Sequence, residues 1–218
     1  MKTVAEQIAE FALKIGAFRL DWENPFTWAS GYKMPVYNDN RLLLRYPEGR
    51  ALVRQGLVEF TIEHEPTEVT ALIAGVATGG IIPATLLAES LDRDLLYLRA
   101  AAKDHGLQRA IEGMTEDSLH GAAVILVEDL ISTGKSCVAA GTQLLAAGGD
   151  IILSLGIFSY GFPEAIERCT AAGVPPFHTI LDFPTLLSVA LYTEAIPPHA
   201  RRELERWHAD PFSWGTDR

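Results

Sequence analysis

Cysteine is nearly absent from this chain of 218 residues: Cys137 and Cys169 are the only two, and neither sits in a Cys-X-X-Cys pair or beside a histidine at ligand spacing. That excludes a disulfide framework and a structural zinc site, and points to a reducing compartment. Long apolar runs are lacking as well. The stretch from Ala122 to Val127 falls far short of the roughly 18 to 20 residues that a membrane-spanning helix needs. The opening residues Met1-Lys2-Thr3-Val4-Ala5-Glu6-Gln7 place an acid where an export signal would carry its apolar core, so a cytoplasmic protein is expected. Positive charge is scarce: 18 lysines and arginines face 28 acids, a net charge of −10. Such a surplus repels a nucleic-acid backbone at long range and excludes general DNA or RNA binding. It leaves room for a small anionic substrate, because local bases, helix-start amides or a bound Mg²⁺ reverse the field within one pocket.

What the chain does have is 48% hydrophobic residues, enough for a sizeable buried core. Val4, Ile8, Phe11 and Ile15 form a helical stripe, with Thr3 and Glu6 spaced as a capping box and Gly16 as a stop. From Phe18 to Asn40 the chain is punctuated by Trp22, Pro25, Trp28, Gly31, Pro35 and Tyr37, which predicts a structured loop or short strands. Helical periodicity returns from Pro47 to Ile62, and Thr67 to Ala74 reads as a buried strand. An alternation follows: a turn at 75–80, a helix from Ile81 to Leu91, and a strand from Leu95 to Leu98. A long polar interval from Arg99 to about His120 comes next, then the clearest strand of the chain, Ala122 to Val127. A loop from Glu128 to Gly134 leads into a helix from Lys135 to Ala147. Beyond it lie a strand (150–159), a helix (164–172), a strand (177–182) and two closing helices (184–194 and 199–208). This order predicts one α/β domain with a parallel sheet covered by helices on both faces.

The sharpest segment is Val124-Ile125-Leu126-Val127-Glu128-Asp129-Leu130-Ile131-Ser132-Thr133-Gly134-Lys135-Ser136. An apolar strand delivers two carboxylates to the sheet edge where ligands of open α/β sheets bind, and a hydroxyl-rich loop and helix start follow. Helix-start amides and the hydroxyls of Ser132, Thr133 and Ser136 suit a terminal phosphate, while Glu128 and Asp129 suit sugar hydroxyls or a nearby positive charge. Acids beside a phosphate cradle suggest a ribose phosphate. Gly134-Lys135-Ser136 imitates the end of a nucleotide-binding P-loop, but that motif requires glycine where Asp129 stands. In the polar interval, Arg99, Lys103 and His105 offer cationic groups to a departing diphosphate, and Gly106 and Gly113 would let the segment close and exclude water. Cys137, in the first turn after the phosphate loop, reads as packing. Trp22, Trp28, Trp207 and Trp214 read as anchors of the terminal additions or of a subunit interface.

Val127 to Ser136 resembles the signature of the type I phosphoribosyltransferases, which bind 5-phosphoribosyl 1-diphosphate (PRPP). Within that family Arg99-Ala-Ala-Ala-Lys103-Asp104-His105-Gly106 resembles the mobile catalytic loop of the orotate enzymes. Asn24 to Lys33, with Pro35-Val36-Tyr37 and Asn40-Arg41, resembles their N-terminal segment, and Gly75 to Gly80 falls where their diphosphate loop would be. The ending Trp207-His208-Ala209-Asp210-Pro211-Phe212-Ser213-Trp214 resembles a subgroup tail. The resemblance implies a single domain with an N-terminal hood segment (1–45), an α/β core (65–183), a mobile loop (99–120) and C-terminal helices (184–218). It implies transfer of phosphoribose from PRPP to orotate, with Mg²⁺ as cofactor, in a homodimer whose loops complete the neighbouring site. PRPP would be bound by Arg99, Lys103, His105, Glu128, Asp129, Leu130, Ile131, Ser132, Thr133, Gly134, Lys135 and Ser136. Lys103, His105 and Asp129 would be catalytic, and Ser132, Lys33 and Tyr37 would meet orotate.

The chain departs from the commoner orotate pattern at Ala29, Gly79 and Ala100, where lysine or another base is usual, and at Tyr160-Gly161-Phe162-Pro163, where an arginine that holds orotate is missing. Which residue grips the orotate carboxylate stays open, with Lys33 and Arg41 as candidates. Two other functions stay open: a phosphoribosyltransferase for a purine or uracil base, and a non-catalytic regulator that senses PRPP.

Overall fold

The computed structural model describes residues 1–28, 31–99, 111–114 and 118–214. The capping box at Thr3 forms: its hydroxyl accepts from the Glu6 amide at 3.2 Å while the Glu6 carboxylate accepts from the Thr3 N–H at 2.7 Å, opening α1 (Val4–Lys14). The punctuated segment that follows holds two small antiparallel ladders. One pairs β1 (Phe18–Leu20) with β4 (Val36–Asn38), and the other pairs β2 (Phe26–Thr27) with β3 (Lys33–Met34). A short helix that periodicity did not signal, α2 (Asn40–Arg45), starts from an Asp39 cap and runs into α3 (Pro47–His64), whose Pro47 suits a first helical turn.

The core is a six-stranded sheet in the order β10-β9-β8-β5-β6-β7. Its strands are β5 (Leu72–Val76), β6 (Leu95–Leu98), β7 (Ile111–Glu112), β8 (Ala123–Ile131), β9 (Asp150–Ser159) and β10 (Phe177–Asp182). All neighbours are parallel except β7, which pairs antiparallel with β6 at the edge. The remaining helices are α4 (Ile81–Leu91), α5 (Lys135–Ala146), α6 (Pro163–Ala171), α7 (Phe183–Tyr192) and α8 (Ala200–Ala209).

The period-2 geometry of a strand explains why β8 is apolar on both sides. Ile125 and Val127 enter a cluster with Ile8, Leu57, Leu87, Leu186 and Trp207, from α1, α3, α4, α7 and α8. Val124 and Leu126 enter a second cluster with Cys137, Leu144 and Cys169, from α5 and α6. Among the described residues no helix is long and apolar enough to cross a membrane.

Three boundaries differ from the sequence expectation. β5 begins at Leu72 and runs through Val76, taking in two residues expected in the turn. The interval after Arg99 contains β7. Most consequentially, β8 does not stop at Val127: Glu128 pairs with Gly156, Leu130 with Phe158 and Ile131 with Ser159 on β9. The ladder is made by backbone groups, so polar side chains do not end it while a neighbouring strand continues. Lys103, His105 and Gly106 lie outside the described residues.

Candidate active site

The C-terminal ends of β5, β8 and β9 lie at one sheet edge, and β8 brings the acid pair there. Asp129 faces the turn between β5 and α4, so closely that a Cβ on Gly79 would fall 2.2–2.3 Å from the Asp129 carboxylate atoms. Glu128 is only 6% exposed, and its Oε2 has no hydrogen-bond partner among the described residues. Burial first, and then the charge of Asp129, push its carboxyl up to about 9, so Glu128 holds a proton at neutral pH. Burial raises Asp129 too, while its hydrogen bond with Glu128 and the nearby Arg41 guanidinium pull the other way. A buried pair of neighbouring acids carries one negative charge more readily than two.

The loop after β8 enters α5 through Gly134, whose φ of 75° is left-handed. A side chain there would also press on the Ala165 backbone at 3.1 Å. Both facts require glycine. The α5 start has no side-chain cap, which leaves its first amides for an anion.

Two adjoining cavities meet at Asn38 and Leu130. The larger, about 750 Å³, is lined from the phosphate loop by Ser132, Thr133 and Lys135 and from the N-terminal segment by Thr27, Trp28, Tyr32 and Tyr37. Tyr160, Glu164 and Phe212 complete its wall. The smaller, about 350 Å³, is lined by residues 38–41, Thr78, Gly79, Glu128 and Asp129. A groove of similar size to the larger cavity, between α1 and α7, also carries acids and hydroxyls, but the helix starts beside it are capped by Thr3 and Asp182.

Leu130, Ser132, Thr133, Lys135, Tyr37, Glu128 and Asp129 are thus brought together. Gly134 shapes the loop, and Ser136 is exposed beside it. Three expected contacts are not placed there. Ile131 turns into the core, 3% exposed, in the cluster of Val124 and Leu126, and its carbonyl accepts from the Tyr160 N–H at 3.1 Å. Lys33 lines neither cavity: its ammonium donates to the Thr27 hydroxyl at 3.0 Å across the β2–β3 pair. Arg99 lines neither as well; it pairs with Glu112 of β7 at 3.0 Å. Arg41, the other candidate cation, does line the smaller cavity and is paired with Asp39 at 2.6 Å. Cys137 is fully buried and its thiol is pushed up by that burial, so it packs rather than reacts.

Sequence reasoning missed a relay of amides. The Asn38 amide donates to Asn40 Oδ1 at 2.9 Å, and the Asn40 amide donates to the Asp129 carbonyl at 2.5 Å, tying the N-terminal segment to the acid pair. The polarity of Asn40 at a helix start reads as capping, and only its 1% exposure reveals a partner across the fold. Tyr37 is held from behind by the Arg19 guanidinium, 4.5 Å from its ring centre.

Comparison with known proteins bears on this site. A model described as the phosphoribosyl transferase domain matches residues 54–155, a span that includes the acid pair and phosphate loop but neither cavity wall from the chain's two end segments. The orotate phosphoribosyltransferase of Bacillus pumilus is 43% identical over 213 residues, covering 98% of this chain and 96% of the relative. The chain belongs to the orotate phosphoribosyltransferase family. A second member of that family, from Lactiplantibacillus plantarum, is 41% identical over 216 residues, with 99% of each chain covered. The crystal structure of orotate phosphoribosyltransferase from Aeropyrum pernix superposes with a TM-score of 0.69 at 27% identity, covering 83% of this chain and 96% of that one. The fold is that of the type I phosphoribosyltransferases, a pentosyl-transferring glycosyltransferase architecture.

Proposed function

We propose that this chain transfers the 5-phosphoribosyl group from PRPP to orotate, giving orotidine 5′-phosphate and diphosphate in pyrimidine synthesis. The observation that carries this reading is the pair of adjoining cavities: one holds the acids, and the other joins the phosphate loop to aromatic walls that suit a planar base. The 5′-phosphate would sit on the amides and hydroxyls of 132–136. The ribose would lie over Leu130 at the junction, and the diphosphate beside Thr78 and Gly79. The bond from the anomeric carbon to the diphosphate oxygen breaks, a bond to orotate N1 forms, and the N1 proton is released. Asp129, carrying the charge of the pair, would hold ribose hydroxyls and favour the cationic sugar, while protonated Glu128 supplies a neutral neighbour.

The Asp129 carboxylate at the smaller cavity is an oxygen donor of the kind that Mg²⁺, a hard cation, takes. When bound, the metal neutralises charge on the leaving group. Arg99, Lys103 and His105 would cover the diphosphate in a homodimer whose loops serve the neighbouring site. One domain, comprising a hood (1–45), a core (65–183) with its loop (99–120) and C-terminal helices (184–218), in a cytoplasmic enzyme, completes the reading.

Diphosphate release from PRPP and Mg²⁺ tests it, with orotate, uracil, adenine and hypoxanthine offered separately. Orotate-dependent turnover is expected, lost in Lys103→Ala. Turnover with another base alone would overturn the substrate, and PRPP binding without turnover would leave the sensing regulator.

A further inference from the structure

We infer that Phe212, in the segment after α8, is a positioning residue for the nucleobase, completing an aromatic circuit around the larger cavity. The inference rests on the functional reading above and names who holds the base. Trp28 lies 5.4 Å from Tyr160 between ring centres, and Tyr160 stacks on Phe162 at 5.2 Å with planes 8° apart. Phe162 lies 5.9 Å from Phe212, and Phe212 lies 5.2 Å from Tyr32. The backbone closes the circuit, because the Trp28 N–H donates to the Tyr32 carbonyl at 3.0 Å. Four of these rings line the cavity, while Phe162, 2% exposed, backs them.

Phe212 is fixed from both sides. On one, Trp207 is fully buried with its indole N–H on the Met34 sulfur at 3.0 Å, and the His208 Nε2 donates to the Tyr160 carbonyl at 2.5 Å. On the other, Trp214 is 6% exposed and its indole donates to Glu203 at 3.0 Å. Two anchored tryptophans therefore hold a ring at the cavity wall. Tyr32, 42% exposed, leaves the Phe212–Tyr32 seam as the open side of the circuit.

The charge inventory gives the rings their weight. Lys135 is the one Lys or Arg among the described residues lining this cavity, and it stands on the phosphate loop. Where the commoner pattern has an arginine, Tyr160 to Pro163 supply part of the ring circuit. Base affinity must then come largely from ring faces and shape, and Phe212 lies outside the span matched by the domain model.

Kinetics of Phe212→Leu and Phe212→Ala test this, with each substrate varied at saturation of the other. Both variants should raise the KM for orotate about three- to tenfold, leave the KM for PRPP within about twofold, and be rescued by Phe212→Tyr. Phe212→Leu keeps most of the volume, so it reports even if the alanine variant does not fold. An unchanged orotate KM, or both KM values rising together, would overturn the inference. Failure of the wild type with orotate would overturn the functional reading instead, and the same KM split is then measured for the base it accepts.

Discussion

Replacing Glu128 by glutamine separates the protonation of the acid pair from its shape. In the folded chain burial, followed by the charge of Asp129, moves this carboxyl from 4.5 to about 9. The unfolded chain gives up its proton above about 4.5, whereas the folded chain keeps it until about 9. Between those values unfolding releases a proton, so stability falls as pH rises, by about 1.4 kcal/mol per unit. From pH 5 to pH 8 the loss from this one group is about 4 kcal/mol, roughly 10 °C of Tm for a chain of this size. Glutamine keeps the shape and has no proton to release. Thermal melts of both proteins, without ligand, at several pH values across that range give the difference in Tm, in which the other titrating groups largely cancel. Relative to wild type, Glu128→Gln should gain about 10 °C from the acid end to the alkaline end, whatever its offset at pH 5. Parallel pH curves would refute the view that Glu128 is neutral in the folded state and that Asp129 carries the pair's charge.

Two further substitutions probe the walls of the smaller cavity and the phosphate loop. Gly79→Ala puts a methyl where the Asp129 carboxylate now sits, at 2.2–2.3 Å. Its kcat/KM should fall about 10²-fold through displacement of that acid, with Tm within a few degrees of wild type; unchanged turnover would remove Asp129 from the reaction. Gly134→Ala forces a left-handed φ of 75° on a residue that also meets Ala165. It should cost about 2 kcal/mol in denaturant unfolding and raise the KM for PRPP, and a neutral result in both would refute the tight entry into α5.

The fold was legible wherever side-chain periodicity decides structure. The stripe of α1 with its Thr3 cap, the run 124–127 and the alternation of strand and helix all follow from burial on one stripe or on both faces of a sheet. Boundaries failed where backbone pairing overrode side-chain character: Glu128 and Asp129 look like a loop, yet β9 keeps them in register. The six-residue α2 is too short for periodicity to register. At the site, the acid pair and the hydroxyl loop were visible because they are contiguous in sequence. The aromatic wall was not. Tyr32, Tyr160 and Phe212 come from three distant stretches, and nothing local to Phe212 says that it returns to the N-terminal segment. Lys33 and Arg41 looked alike as candidate cations, and only their hydrogen bonds and cavity positions separate them.

The extension of the β8–β9 ladder through Ile131 has a dynamic consequence. Beyond Val127 the strand is paired with β9 alone, because β5 follows it only from Val124 to Val127, so its amides bonded to β9 should exchange with deuterium more slowly than those of the loop that follows. An acid pair mounted there is oriented before any ligand arrives. Its dipoles need no rearrangement at the moment the glycosidic carbon gains positive charge, and the ordering that accompanies turnover falls on other segments.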